Sequence, residues 1–531
     1  MAIMEKILLT LLLLSSVLSI ASARRRSSSS CNIDWWCNQT PHPEPCKYNM
    51  RQSHNRYTFK HKSEFRTILV ELALDRAIIM HKEAHDLKQN PGNKKQKSVL
   101  DDCLKLYDNT IFQLNRTFQG LHVKRSFSLF DAQTWLSTSL TNIETCRNGA
   151  LDLSVPDCIA SPARTNVTAI ISNSLSVNWA FVKHEAVPYT TEDTEYGYPS
   201  WFSTNERKLL QSSSIKANLV VAKDGSGHFK TIQAAINAAA RRRFKTRFVI
   251  HVKRGVYREN IEVDMTNDNI MLVGDSMRTT IITSGRSVQG GFTTFSSATA
   301  GIDGLHFIAR DITFRNTAGP AKGQAVALRS ASDLSVFYRC SIEGYQDTLM
   351  VHAQRQFYRG CYIYGTVDFI FGNAAVVFQN CVILVRRPVN GQGNMITAQG
   401  RDDPFQNTGI SIHNSQIKAA PDLKPVVSNF NTFLGRPWQK YSRVVIMKSF
   451  MDSLVNPTGW SPWDGTTFAQ STLYYGEYKN FGPGSSTRNR VRWPGFHVIT
   501  SPTDASLFTV ANLLAGRTWL PSTGVPFTSG L

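Results

Sequence analysis

Residues 344–373 read GYQDTLMVHAQRQFYRGCYIYGTVDFIFGN. Two acids, Asp347 and Asp368, close the similar tetrapeptides Gly-Tyr-Gln-Asp and Gly-Thr-Val-Asp, 21 positions apart. Their neighbours are aromatic and branched residues, among which an ionised carboxylate is costly to bury. The flanking sequence repeats at the same interval. Cys340, Cys361 and Cys381 are separated by 21 and 20 positions, inside "LSVFYRCSIEG", "RQFYRGCYIYG" and "AVVFQNCVILV". Each run has alternating residues, a polar turn and another apolar pair, which is the pattern of a short strand, a corner and a second strand. A period near 20 built from short strands predicts a solenoid. A right-handed parallel β-helix fits, because helices long enough for leucine-rich or βα units are missing.

In such a fold the two acids occupy equivalent places on successive coils, which stack about 4.8 Å apart. Two ionised carboxylates about 5 Å apart at an effective dielectric near 20 repel by about 3 kcal/mol, enough to separate their pKa values by about two. One is then protonated while the other is ionised, as acid/base chemistry combined with nucleophilic attack requires. The plainer reading is a ladder of aspartates capping turns. Gln346, beside Asp347, favours a site, since its amide can donate to a developing oxyanion. Gln324, 23 positions earlier, extends the column by one coil and supplies a second amide, and Thr294 extends it again.

The β-rich texture begins near Asn218 and continues to the C-terminus; the first part of the chain differs. "MEKILLTLLLLSSVLSIASA" has a charged start, an apolar run and small residues before Arg24, the pattern of a secretory signal over residues 1–23. The run is short for a membrane span. Residues 31–180 predict a helical bundle, for "SEFRTILVELALDRAIIMHKEAHDL" puts Phe65, Leu69, Leu72 and Ile79 at helical spacing, and two later segments repeat the pattern. Export places the nine cysteines in an oxidising compartment. Cys37 and Cys46 bracket a Pro-rich turn and Cys103 and Cys146 lie on two later helices, so a four-helix bundle stapled by Cys37–Cys46 and Cys103–Cys146 is expected. Cys31 and Cys158 are left over and free to pair with each other.

Sequons at Asn38, Asn115 and Asn166 all lie in this half, with Asn38 weakened by Pro41. Residues 181–215 have no clear period and read as a linker, and Arg207-Lys208-Leu209-Leu210 within it offers a dibasic cleavage site to a processing protease. The formal net charge is +20, and most of the excess follows residue 211, with 34 Lys and Arg against 19 Asp and Glu. Such a charge implies a polyanionic partner. Export turns that expectation from nucleic acid to an acidic polysaccharide of a wall matrix.

From about residue 216 to 531 the sequence resembles plant pectin methylesterases. The motifs, in the family's order, are "VVAKDGSGHFKTIQAAI", "GFTTFSSAT", "FRNTAGPAKGQAVALR", "CSIEGYQDTLMVH", "GTVDFIFGNA", "TAQGRDDPFQNTGI", "FLGRPWQKYSRVV" and "YYGEYKNFGPGS". The helical half is similar to the family's inhibitor-like pro-region, on "WWCNQTPHPEPC" and "DDCLKLYDNT", and Arg207-Lys208-Leu209-Leu210 resembles its processing site. The resemblance implies Asp368 as nucleophile, Asp347 as proton donor and later base, and Gln346 as transition-state stabiliser. It implies Thr294, Gln324, Arg436 and Trp438 as substrate-binding positions. An arginine offers a planar fork for a carboxylate and a tryptophan a flat face for a sugar ring. Gly323 departs from the family, where a larger polar residue, often His, precedes the glutamine. The family also pairs the equivalents of Cys340 and Cys361, leaving Cys381 open.

The implied reaction is hydrolysis of methyl esters of homogalacturonan in the cell wall, by a secreted monomer that meets neither nucleic acid nor, after signal removal, a membrane. No metal or organic cofactor is expected, since the catalytic half has no His/Cys ligand cluster. Two alternatives compete. A glycoside hydrolase on the same fold also uses paired carboxylates; the glutamines beside the acids weigh against it. A wall-binding protein whose helical half inhibits enzymes in trans is the other, and the complete set of acids and amides weighs against that.

Overall fold

The computed structural model describes residues 33–52, 59–122, 127–159, 166–183, 216–243 and 246–531. The expected signal, Cys31 with its open pairing to Cys158, and the linker with Arg207 and Lys208 lie outside the described residues.

Parallel pairing organises the catalytic half. From Leu219 to Val498 the chain winds through three sheets of 11, 7 and 8 strands, every coil giving short strands to successive sheets. This is the parallel β-helix read from the period. Register is kept from coil to coil: Leu328 pairs with Leu349, Leu349 with Ile370 and Ile370 with Thr397. In the eight-stranded sheet Ile342, Ile363, Ile383 and Ile417 form one column, all buried. Branched residues suit such columns because they stack on a pleated surface with little loss of side-chain freedom. Aromatic residues do the same in the eleven-stranded sheet. The rings of Phe337 and Tyr358 lie 4.6 Å apart, and those of Tyr358 and Phe378 4.7 Å apart, one ring per coil. A helix at Ile232–Ala240 puts Ile232, Ala235 and Ile236 into the same core.

The cysteine column is present, but its expected Cys340–Cys361 bond is not. Cys340, Cys361 and Cys381 are buried thiols. Each donates to a main-chain carbonyl: Cys340 Sγ to Tyr338 O (3.5 Å), Cys361 Sγ to Phe337 O (3.2 Å) and Cys381 Sγ to Tyr358 O (3.6 Å). Interior side chains of a coil run parallel to those above and below, so Cys361 meets the thiols of both neighbours, Cys340 and Cys381, and neither is singled out as its bonding partner. Burial raises the Cys361 thiol well above its ordinary range.

The helical half contains α1 (Pro43–Gln52), α2 (Lys62–Gln89), α3 (Lys94–His122), α4 (Leu129–Asp152) and α5 (Val167–Val182). The last four form the expected bundle, and both expected disulfides, Cys37–Cys46 and Cys103–Cys146, are formed. A capping box starts α4, with Ser128 Oγ accepting from Asp131 N and Asp131 Oδ2 accepting from Ser128 N. On α2, Phe65, Leu69 and Leu72 are buried as expected, but Ile79 is 41% exposed. Met80 takes the inward place, because a 3.6-residue period drifts from a strict seven-residue step along 28 residues.

The bundle lies on the seven-stranded sheet. Leu106, Leu140 and Ile143 share one apolar cluster with Phe295, Val326, Met350 and Phe371 of the β-helix. One face of α4 adds a polar stripe. Thr134 Oγ1 accepts from Asn407 Nδ2, Ser137 Oγ accepts from Asn407 N, Thr141 Oγ1 accepts from Asn373, and Thr145 Oγ1 meets His352 Nε2 at 2.8 Å. These four positions recur at three- and four-residue steps, one face of a helix. Below, Lys105 of α3 reaches Glu262 (2.6 Å) and Asp303 (2.9 Å).

The aromatic column sets an expected outcome for stability. Tyr358→Ala removes the middle ring and should cost about 3–5 kcal/mol, whereas Tyr358→Phe, which keeps the stack and loses the bond to Gln356, should cost about 1 kcal/mol. Urea unfolding followed by the near-ultraviolet signal measures both. Equal costs would show that the hydroxyl, not the ring stack, holds this part of the core.

Candidate active site

The acids sit where strand register puts them. Leu349 pairs with Ile370, and Asp347 and Asp368 each stand two residues earlier on their coils, with Asp347 N donating to Val367 O (3.0 Å). Both backbones are left-handed, φ +59° at Asp347 and +51° at Asp368. That conformation costs a side-chain-bearing residue about 1–2 kcal/mol, so it persists only where the surroundings impose it. Here it turns both carboxyl groups out of the coil into one cavity of about 290 Å³.

The same cavity collects the other expected residues. Gln346, Gln324 and Thr294 line it from three coils, and Arg436 and Trp438 from a fourth. Trp438 is seated against Gly400, where an added Cβ would stand 2.7 Å from the indole, and its edge meets Phe371. Gly323, the departure from the family pattern, has φ +66° and open space where a side chain would stand.

Arg436 makes a contact that its sequence context did not reveal. Its Nε donates to Asp368 Oδ1 (2.9 Å) and Nη2 to Asp368 Oδ2 (2.6 Å), a forked pairing with the carboxylate of the chain itself. Trp463 covers the guanidinium at 4.4 Å, and Asp464 approaches it at 3.6 Å. Neither was legible beforehand, though "WSPWDG" places an aromatic and an acid together in a turn. Burial raises Asp368 above the ordinary carboxylate range, opposed by the bonds and charge of Arg436. Asp347 has no such partner. Burial holds it well above that range, and the charges of Asp368 and Asp152 push it the same way against Arg436. The two acids are therefore unlike: Asp368 is held in the fork of Arg436, and Asp347, raised further by burial and neighbouring charge, keeps its proton to higher pH.

Asp152 belongs to the helical half. The cavity is closed on one side by the end of α4, through Thr145, Gly149 and Asp152. Asp152 Oδ2 accepts from Thr294 N at 2.9 Å. Gly149 permits the approach, since a Cβ there would stand 3.3 Å from the Thr293 methyl.

Comparison with known proteins agrees with this geometry. The Pectinesterase family matches residues 218–517. The chain belongs to the pectinesterase family. A second family, Plant invertase/pectin methylesterase inhibitor, matches residues 32–177. The protein is thus a carboxylic ester hydrolase, a pectin methylesterase carrying an inhibitor-like N-terminal domain. Among its relatives, Probable pectinesterase/pectinesterase inhibitor 60 of Arabidopsis thaliana is 61% identical over 95% of this chain and 94% of its own. Pectinesterase 2 of Citrus sinensis is 55% identical over 93% and 94%. The solved structure of a pectin methylesterase from carrot covers 60% of this chain and all of its own, at 58% identity and a TM-score of 0.59.

The interface of the two halves buries more carboxyl groups than the acid pair. Burial, then Glu144, pushes Asp402 up to about 8; burial pushes Asp102 up to about 6 and raises Asp152 and Asp403. A carboxyl whose pKa is higher in the docked state binds its proton more tightly there. Docking is therefore strongest below the ordinary carboxylate range and weakens as pH rises through the docked values. His352, lowered to about 3 by burial, acts oppositely, but above about pH 6.5 it is neutral whether docked or free. The two halves of protein cleaved in the linker are expected to co-elute at pH 6 and to separate increasingly toward pH 8.5. Gel filtration across that range checks this, and binding that is constant or tightens with pH would contradict it.

Proposed function

We propose that Asp368 is the nucleophile and Asp347 the acid/base of methyl-ester hydrolysis on homogalacturonan, and that the helical half keeps the site closed until the linker is cut. The observation that carries the chemistry is the asymmetric pair: an arginine-bound carboxylate beside a buried, unpaired carboxyl, facing one cavity with two amides.

Asp368 attacks the ester carbonyl, and the oxyanion that forms accepts from the amides of Gln346 and Gln324. As the bond to the methoxy oxygen breaks, Asp347 gives that oxygen its proton and methanol leaves. The acyl group is now held as an anhydride on Asp368. Asp347, ionised, takes a proton from water, whose oxygen attacks the acyl carbon; the anhydride bond breaks, the galacturonosyl unit leaves as a free acid still within its chain and Asp368 is regenerated. Arg436 keeps Asp368 ionised and aimed, and Trp438 and Thr294 line the place of the sugar. The basic surface suits the polyanionic product. The substrate places the enzyme, as an exported monomer, in the cell wall. Among the described residues no helix is long and apolar enough to cross a membrane. Asn38 and Asn115 are exposed and Asn166 half-buried, open to glycosylation in transit.

Asp368→Asn keeps the side-chain volume and removes the negative oxygen, so methanol release should fall at least about 10³-fold with the fold intact. The assay follows methanol and chain length together. Retained methanol release would dismiss Asp368 as nucleophile, and shortened chains without methanol would favour the glycosidase reading.

Closure rests on the position of α4. A tethered bundle faces its own sheet at an effective concentration in the millimolar range, so even weak docking holds. The end of α4 fills one side of the cavity, and Asp152 occupies the Thr294 N–H with a carboxylate, the group that the product also carries. With Arg207 and Lys208 both changed to Ala, the chain should stay uncut, nearly inactive and inside the cell, whereas the wild type appears outside as a fragment beginning near Gln211. A secreted, full-length, fully active double variant would leave the helical half as a folding aid only.

A further inference from the structure

Arg386 ends a column that begins next to the acids. Glu343 pairs with Tyr364, and Tyr364 with Leu384, so Tyr345, Thr366 and Arg386 follow one another at the same corner of three successive coils. Tyr345 stands two residues before Asp347 and Thr366 two before Asp368. From the third coil Arg386 reaches back past Thr366. Its guanidinium lies 3.7 Å over the Tyr345 ring, with Nη1 donating to Gly344 O (3.1 Å) and Nη2 to Tyr345 Oη (2.6 Å). Its Nε donates to Asp422 Oδ2 (3.1 Å), which anchors the head from a fourth coil. Its main-chain N–H donates to Gly365 O (2.8 Å), at the start of the turn that carries Asp368.

We infer that Arg386 is a positioning residue for both acids. The inference rests on the roles proposed above for Asp347 and Asp368. The guanidinium holds the Gly344–Tyr345 peptide from one side. On the other the turn is already closed, since a Cβ on Gly344 would stand 2.7 Å from Thr348 Oγ1. The two acid-bearing turns are bonded to each other by Thr366 N to Tyr345 O (3.0 Å) and Asp347 N to Val367 O (3.0 Å), so a shift of the first displaces the second. A brace is needed because both acids sit in the left-handed conformation, which the chain abandons when released. Arg386 acts through this geometry; the charges acting on Asp347 are those of Asp368, Asp152 and Arg436. It borders an open surface cavity of about 630 Å³ with Tyr345 and Asp422, so shortening it leaves no void in the core.

The test uses the full chain expressed in a plant secretory host and the active form that the host releases, with kcat, KM and pH profile measured on methyl-esterified homogalacturonan. Arg386→Gln should lower kcat by about 10- to 100-fold with KM within about twofold, the loss expected from a slightly misplaced reacting group. The alkaline limb of kcat should move to lower pH, because an Asp347 loosened from Asp368 gives up its proton more readily. Tyr345→Phe, losing one of the bonds, should cost about 2- to 10-fold, and Arg386→Lys should fall between wild type and Gln. Arg387→Gln, at the adjacent exposed residue, should stay within about twofold. Wild-type kcat in Arg386→Gln would overturn the inference. So would a loss matching only the drop in folded protein, seen by thermal unfolding, with an unmoved pH limb. Asp347→Asn and Asp368→Asn are run alongside: if either keeps its activity, the assignment of the acids fails and the inference with it. If both are inactive while Arg386→Gln is normal, the positioning role alone is lost.

Discussion

The register of stacked parallel strands is the constraint from which the rest follows. Every coil hydrogen-bonds to the next through the backbone, so a residue's neighbours above and below are fixed by counting and not by side-chain preference. Asp347 and Asp368 never meet in sequence; they meet because Leu349 lies on Ile370. Arg436, 68 residues beyond Asp368, reaches it by the same means, since the strand Thr432–Gly435 is the next but one after Ile370–Gly372 in the seven-stranded sheet. A slip of one residue between coils would turn each outward acid into the apolar interior and each interior leucine outward. The columns of isoleucines and aromatic rings guard against that, because a slipped register breaks every stack at once.

Much of this could be read from residue spacing, because a solenoid writes its third dimension into one. The 21-residue interval gave the fold, the acid pair and the column of thiols, and the two halves differed in period and charge. What spacing does not carry is side-chain direction. The fork of Arg436 was expected to face a substrate carboxylate and instead holds Asp368, since nothing in "LGRPW" says which carboxylate lies nearest. The thiol column shows the same limit: counting brings Cys340 and Cys361 to adjacent coils, but it does not say that Cys361, set between two thiols, stays unbonded to either. Which residues meet across the two halves was equally invisible. Asp152 is an unremarked acid at the end of a helix until α4 is laid on the sheet.

The interface between the halves joins an apolar floor with a polar seam. Thr134, Ser137, Thr141 and Thr145 each also bond to the carbonyl one turn back on α4, so their hydroxyls are satisfied within the helix before they meet the sheet. Such a surface tolerates water as well as partner. The floor beneath is different. Phe295, Met350, Phe371 and Ala398 cluster with the bundle's own core, and removing the helices exposes them together with the indole of Trp438. Sugar rings present apolar faces of their own, so one surface can receive either occupant.

Chain order adds a temporal consequence. The bundle occupies the N-terminal part of the polypeptide and every residue of the acid pair follows it, so a ribosome completes the cover before it begins the coils that the cover closes. Domains fold as they emerge, N-terminal first. The exposed ladder edge of each new coil and the apolar floor thus form beside a partner already folded, and the cavity that holds Asp347 and Asp368 is walled on one side as soon as it forms.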